Sequence, residues 1–335
     1  MTAELASGWS AELQADGEPI LEVNNITKHF RVRGGRGRVR AVQDVSFSLR
    51  RGATLGIVGE SGCGKTTLAR LLLRLVEPDA GTIRLAGVDL LGLNSRALRA
   101  QRRSMQIIFQ DPYASLDPRQ TVGAILAEPL VIHGVGDRQS RRKRVAELME
   151  LVGLEAQATT RYPHEFSGGQ RQRIGIARAI ALEPQLVIAD EPVSALDVSI
   201  QSQILNLLID LKARLGLSYI VISHDLSVVE HVSDRVAVMY LGRIVEMADV
   251  EHLYAHPAHP YTQALLSAVP QLDPSESRQR IVLSDDIPNP EDPPSGCPFH
   301  PRCPQAMDVC RSVMPRSAAI GTAETLHDVT CHLYQ

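Results

Sequence analysis

Apolar positions in this 335-residue chain fall into short, separate runs rather than one long one. Between Leu21 and Leu49 they alternate with polar residues, most regularly in Val45-Ser46-Phe47-Ser48-Leu49, which is the period of a half-buried antiparallel strand. Four later runs do not alternate: Leu55-Gly56-Ile57-Val58, Gln106-Ile107-Ile108-Phe109, Leu186-Val187-Ile188-Ala189 and Tyr219-Ile220-Val221-Ile222. Short continuous apolar runs separated by helical segments are what parallel strands produce when both faces of their sheet are covered. The predicted fold class is therefore α/β.

Helical spacing predicts a helix from Thr66 to Val76 and, between Asp111 and Ala181, further helices over Val122–Ile132 and Arg142–Val152. In the last of these, Val145, Leu148, Met149 and Val152 share one face. No strand pattern interrupts that stretch, so residues 111–181 read as a helical subdomain inserted into a sheet domain spanning 19–255. From His256 the composition shifts. Pro257, Pro260, Pro270, Pro274, Pro288, Pro290, Pro293 and Pro294 break any long element, and four of the five cysteines follow. Residues 256–335 read as a separate, small C-terminal appendage, and residues 1–18 as a disordered polar tail.

Composition narrows the function. The chain is 44% hydrophobic, enough for a core, and its net charge of −3 gives no bulk attraction to nucleic acid or acidic lipid. The local exception is Lys28 to Arg40, with Lys28, Arg31, Arg33, Arg36, Arg38 and Arg40 and no acid. It reads as a solvated hairpin tip, with a contact to acidic headgroups or a partner as the sharper alternative. There is no apolar run of the roughly 18 residues that a membrane helix needs. The N-terminus lacks the positive start and apolar centre of a signal peptide. A cytoplasmic setting follows as the expectation, and there the cysteines serve as thiols or metal ligands rather than disulfides.

The chemistry starts at Gly59-Glu-Ser-Gly-Cys-Gly64-Lys65-Thr66, a phosphate-loop pattern placed between a strand and a helix. The backbone N–H groups of Gly59, Ser61, Gly62, Cys63 and Gly64 can form an anion nest with a helix dipole behind it, Cys63 acting as a small filler. Lys65 supplies charge to the β- and γ-phosphates, Thr66 a hydroxyl for Mg²⁺, and Thr67 a bond to the α-phosphate. Asp190 and Glu191 end an apolar strand. Asp190 fits the acid that holds Mg²⁺, and Glu191 fits the general base that orients the attacking water. His224 and Gln110 end two other strands, so they should emerge at the same carboxyl edge, where open α/β sheets bind ligands. Gln110 is thereby a candidate ligand of Mg²⁺ or the water, and a sensor joined to the helical insert.

Ser167-Gly168-Gly169-Gln170 opens a helix, with Ser167 as N-cap and glycines leaving N–H groups open to a phosphate. Two anion pockets so far apart in one chain are explained most economically by a head-to-tail pair. In such a pair Ser167 and its glycines cap the γ-phosphate held by the partner's phosphate loop, and Ser194-Ala195-Leu196-Asp197 lines the same interface. An ordinary capped helix does not explain Gly-Gly followed by Gln.

The phosphate loop, Gln110, Phe166–Gln170, Asp190-Glu191, Ser194–Asp197 and His224 occur in the order and spacing of an ABC transporter ATPase subunit, which this chain resembles. The resemblance implies a P-loop NTPase cassette with a RecA-like mixed sheet, an antiparallel β subdomain and the helical insert. It also implies ATP and Mg²⁺, with Phe30 at the position of the aromatic that stacks on adenine. Phe109-Gln-Asp-Pro-Tyr-Ala-Ser-Leu116, Tyr162–Gln170 and His259-Pro260-Tyr261-Thr262 look like the oligopeptide/dipeptide importers, closest to their second ATPase subunit. That family implies a paralogous ATPase partner (or a second copy), two membrane permeases touching the stretch from Tyr113 to Leu116, and an extracytoplasmic binding protein. The subunit would then sit peripherally on the cytoplasmic face of the membrane. Peptides, nickel chelates and oligosaccharides are all carried by relatives. The rival class, a soluble ABC ATPase of DNA repair or translation, carries coiled coils, zinc insertions or a second cassette that this chain lacks.

Cys297-x5-Cys303-x6-Cys310 and, after twenty intervening residues, Cys331 place four thiols in a proline-rich segment expected to need a staple. Their spacing matches neither the usual zinc pairs nor ferredoxins, leaving iron–sulfur, zinc or free thiols open. The resemblance to peptide-importer ATPases favours a [4Fe–4S] cluster. His252, His256 and His259 read as structural, because Pro257 and Pro260 break the helix a metal site would need.

Overall fold

The structure is a computed structural model that describes residues 18–31, 37–269, 281–283, 287–321 and 326–335. The expected polar tail lies outside the described residues except for Glu18, as do Arg33 and Arg36 of the basic stretch. The chain forms two units, one drawn from residues 1–50, 55–91 and 224–335, the other from 51–54 and 92–223.

In the first unit, strands Pro19–Arg31 and Arg38–Arg50 pair antiparallel, with Leu21 opposite Leu49 and Val23 opposite Phe47. Leu21, Val23, Ile26, Val45, Phe47 and Leu49 are buried, so the alternation read from the sequence is the face that meets the core. Ala80–Leu85 and Val88–Asp89 complete this four-stranded sheet. Strand Thr54–Val58 is buried throughout and runs parallel to Arg235–Tyr240, with Val58 opposite Val238. Arg243–Asp249, His327–Thr330 and Ser317–Ala319 then continue antiparallel. The mixed sheet implied by the resemblance is present.

Strands Arg235–Tyr240 and Arg243–Asp249 are not among those the sequence pattern predicts. They form a hairpin closed by Leu241 and Gly242, both at positive φ (41° and 80°). A tight turn of that hand normally carries Asn-Gly, and Leu in the first position hides it.

The C-terminal region does not stand apart as a coreless appendage. Tyr261, Phe299, Cys297 and Cys310 belong to the same apolar cluster as Val58, Val236, Val238 and Tyr240. The rings of Tyr240, Tyr261 and Phe299 meet at 4.7–5.4 Å between centroids. Fully buried Glu246 ties the region further. Its carboxylate accepts from the N–H groups of Ala258 (2.7 Å) and His259 (2.9 Å) and lies 2.7 Å from His327 Nε2. The expected staple is therefore supplied by apolar burial and this buried carboxylate.

The second unit carries three parallel strands, Met105–Ile108, Leu186–Asp190 and Ser218–Ser223, in register through Ile108 with Ala189 and Asp190 with Ile222. Its helices include Val122–Ile132, capped by Thr121, and Arg138–Leu151, capped by Asp137 in a reciprocal box with Ser140. Helices occupy much of the stretch from Val122 to Ile180. Its second helix begins four residues earlier than expected because Asp137 satisfies the free N–H groups of Gln139 and Ser140.

Candidate functional site

The phosphate loop connects the buried strand ending at Val58 to the helix Lys65–Leu72. Its shape depends on glycine at two positions. A Cβ on Gly59 would stand 2.1 Å from the Met239 carbonyl oxygen, and one on Gly64 (φ 110°) 2.1 Å from that of Ala41. Only a residue with no side chain lets the loop lie this close to the neighbouring backbone. The Lys65 ammonium, 5% exposed, folds back over the loop and donates to the carbonyls of Gly59 (2.6 Å) and Glu60 (2.9 Å). Cys63 is buried, and burial pushes its thiol up against the lowering effect of Lys65, so it packs as a neutral filler. Thr66 and Thr67 lie half-buried in the first turn of the helix. Phe30, at the end of its strand, leaves 38% of its surface exposed, and the Lys28 ammonium lies 5.6 Å from its ring centroid. Lys28 itself pairs with Asp79 at 2.9 Å.

In the second unit the adjacent strands Met105–Ile108 and Leu186–Asp190 deliver Gln110 and Glu191 to one edge. There the Gln110 amide nitrogen donates to Glu191 Oε2 at 2.8 Å. The bond leaves the amide oxygen of Gln110 as a hard donor. With the buried Asp190 carboxylate, the second unit thus holds oxygen donors of the kind Mg²⁺ takes, and the first unit carries the Thr66 hydroxyl. Glu191 sits at φ 49°, a left-handed conformation that costs a non-glycine residue about 1–3 kcal/mol. Its N–H donates to the Ile222 carbonyl at 2.8 Å, and its own carbonyl accepts from the Ser194 hydroxyl at 3.2 Å. The chain is thus turned sharply at the end of the strand, and the carboxylate turns with it. Nothing in the sequence disclosed this strain. His224, exposed, follows directly on strand Ser218–Ser223 and begins the last segment of the first unit.

Helix Gly168–Ile180 opens with a reciprocal capping box. The Ser167 hydroxyl accepts from the Gln170 N–H (3.3 Å), and Gln170 Oε1 accepts from the Ser167 N–H (3.0 Å). Gln170 is therefore accounted for by capping, contrary to the reading that a capped helix leaves it unexplained. Gly169 is required by packing, since a Cβ there would stand 2.6 Å from Ile200 Cγ2. Gly168 has ordinary room, its nearest neighbours lying at 3.5 and 3.9 Å, so the interior of the unit does not demand glycine there. Ser167 is exposed, as are Ser194, Ala195 and Asp197.

The four C-terminal cysteines fall in two apolar clusters, yet lie near enough to act electrostatically on one another. Cys297 and Cys310 are buried in one apolar cluster with half-buried Cys303 against it, while Cys331 packs in another with Ala258 and Val329. Among the described residues, no group of three or more His, Cys, Asp or Glu side chains is disposed to hold a metal ion. Burial pushes the Cys297 thiol up to about 11 and raises Cys303 and Cys331 as well. Nothing among the described residues supports the expected [4Fe–4S] cluster.

The ABC transporter family profile matches residues 42–194, and the profile for the C-terminal region of oligopeptide/dipeptide transporters matches residues 245–310. The chain is 51% identical to the oligopeptide transport ATP-binding protein AppF of Bacillus subtilis, over 96% of this chain and 99% of that protein. It is also 51% identical to a probable peptide ABC transporter ATP-binding protein, y4tS, of Sinorhizobium fredii, over 94% of this chain and 90% of the relative. Among solved structures it resembles the dimeric ATP-binding cassette MJ0796 bound to ADP and phosphate. That match has TM-score 0.63 and 28% identity and covers 69% of this chain and 98% of the cassette. CbiO1 of Clostridium perfringens, part of the CbiONQ transporter, gives TM-score 0.64 and 27% identity, covering 72% and 92% of the two chains. With the phosphate loop, the Gln110–Glu191 pair and the capped Gly168 helix on one polypeptide, this chain belongs to the ATP-binding subunits of the ABC transporter family, in the branch that carries the oligopeptide/dipeptide C-terminal region.

Proposed function

We propose that this subunit hydrolyses ATP to energise import of peptides, as a peripheral component on the cytoplasmic face of a membrane complex. The observation that carries the reading is the coexistence of two glycine-opened helix starts, at Gly64 and Gly168, with an acid–amide pair at a strand edge. ATP binds with its β- and γ-phosphates on Lys65 and the loop amides, its adenine against Phe30, and its γ-phosphate capped by Ser167 and Gly168 of a second cassette. Thr66, Gln110 and Asp190 would hold Mg²⁺, which would supply positive charge to the phosphates. Glu191 takes the proton of the attacking water while Gln110 holds its carboxylate in place, and His224 faces the γ-phosphate. Closure of two cassettes moves the helical inserts against two permeases, and hydrolysis reopens them. The second cassette is a paralogous ATPase or another copy of this chain. The names of the relatives support peptides as the solute, delivered by an extracytoplasmic binding protein.

The test is reconstitution of the chain with its permeases and binding protein in vesicles. Peptide uptake that requires internal ATP and vanishes with Lys65→Ala supports the reading; uptake indifferent to Lys65 ends it. A crosslink from Ser167 to nucleotide bound by the neighbouring cassette tests the head-to-tail arrangement. An iron and sulfide assay on anaerobically purified protein decides whether the cysteines rearrange around a cluster. No step of the mechanism runs through one.

A further inference from the structure

Glu60, between Gly59 and Ser61 of the phosphate loop, is gripped by two residues of the C-terminal region. Its backbone N–H donates to the Tyr261 hydroxyl at 2.9 Å. Its carboxylate receives both arms of the Arg302 guanidinium, Nη1 to Oε2 at 2.7 Å and Nη2 to Oε1 at 3.0 Å. Its carbonyl accepts the Lys65 ammonium. The residue that holds the loop lysine is thus itself fixed through its amide and its side chain.

The grip is built rather than incidental. The Arg302 side chain is 6% exposed and that of Glu60 25%, so the pair is largely withdrawn from water, where a bidentate charge-assisted contact is strongest. Arg302 is placed by a turn in which its N–H donates to the Phe299 carbonyl at 3.0 Å, and its guanidinium lies 5.9 Å from the Tyr240 ring. Tyr261 is fully buried against the same two rings.

A carboxylate in a loop that receives a triphosphate opposes binding unless it is neutralised and held aside. We propose that Arg302 and Tyr261 are positioning residues for nucleotide binding. Acting through Glu60, they cancel its charge and fix the loop backbone, so that the C-terminal region sets ATP affinity. The proposal rests on the reading of residues 59–66 as the ATP phosphate site.

The full chain is compared as wild type, Arg302→Ala, Arg302→Lys, Tyr261→Phe, Glu60→Ala, Glu60→Ala/Arg302→Ala and Lys65→Ala. ATP Kd is measured by displacement of a fluorescent nucleotide, and kcat and KM by phosphate release. Arg302→Ala is expected to raise Kd and KM about tenfold, the scale of one charge-assisted hydrogen bond, with a much smaller change in kcat. Arg302→Lys, which keeps the charge but loses the fork, falls between. Removing the carboxylate as well restores affinity, and added salt shrinks the Arg302→Ala defect because the repulsion is screened. A mere structural staple predicts the reverse: a lower melting temperature, no salt dependence and no rescue by Glu60→Ala. Wild-type KM in Arg302→Ala, or a double variant as weak as the single, overturns the proposal. If Arg302→Ala does not fold, Arg302→Lys and Tyr261→Phe carry the same comparison, and wild-type Kd in both overturns it. Undiminished ATP binding by Lys65→Ala would instead remove the phosphate-loop reading itself, and the proposal with it.

Discussion

Gln110 and Glu191 meet at 2.8 Å across the ends of two parallel strands, so the residue that leads into the helical insert directly holds the carboxylate assigned to water activation. The chain around Glu191 is strained as well, its φ of 49° sustained by the bond from its N–H to Ile222. Strain kept in place by such bonds is found where geometry serves chemistry.

Replacing Glu191 with Gln keeps the size and the turn but removes the base. Steady-state hydrolysis should fall by at least about 100-fold, with ATP retained, since general-base catalysis is worth about 10²–10⁴. Phosphate release alongside nucleotide retention checks this, and near-normal turnover would strip Glu191 of its role.

Two loop glycines should differ in their response to alanine. At Gly64 the new Cβ meets the Ala41 carbonyl oxygen at 2.1 Å, whereas at Gly62 nothing lies within 4 Å, although both have positive φ. Gly62→Ala should cost about 1–2 kcal/mol of backbone strain alone. Gly64→Ala should cost more, because backbone must move. Thermal unfolding of the two variants side by side gives the answer; equal losses would contradict the packing seen at Ala41.

Gly169→Ala should destabilise by about 1–3 kcal/mol, the range for overpacking, because its Cβ runs into Ile200. Ile200→Ala in the same chain should recover most of that loss. A double-mutant cycle in denaturant measures the coupling, and purely additive losses would show that Gly169 is needed for something other than this contact.

The pH dependence of stability should carry a contribution from His259. Burial lowers its pKa to about 4 against the opposing pull of Glu246, and its Nδ1 accepts from the Tyr261 N–H, capping helix Pro260–Ser267. The folded state therefore keeps His259 neutral, while the unfolded chain takes up a proton below its ordinary pKa of about 6.5. This stability is fully present above about pH 6.5 and is lost as pH falls toward 4, by up to about 3 kcal/mol. His259→Asn keeps a cap acceptor without titrating, so its melting temperature should fall less between pH 7 and pH 5 than that of the wild type.

Much of the chain could be read before any coordinates. Alternation at Val45–Leu49, the continuous runs before Gly59 and Gln110, and the cap at Ser167 are local signals, because strand and helix periods are written along the backbone itself. The same holds for the phosphate loop, whose glycines and lysine must be neighbours to act on one anion. Strands Arg235–Tyr240 and Arg243–Asp249 stayed hidden behind a turn that puts Leu241 where Asn is usual. The C-terminal region was misread as coreless because its prolines are local, while the partners that bury it, Val58, Val236 and Tyr240, are distant in sequence.

By itself, then, the sequence determined the family and named the candidate residues for ATP chemistry, since motif spacing limits which groups can surround a phosphate. Tertiary structure alone decided that Arg302 and Tyr261 hold Glu60, that Gln110 bonds Glu191, and that the four C-terminal cysteines pack in two apolar clusters. Each of those facts is a contact between segments far apart in the chain, set by how the core closes rather than by any pattern within one segment.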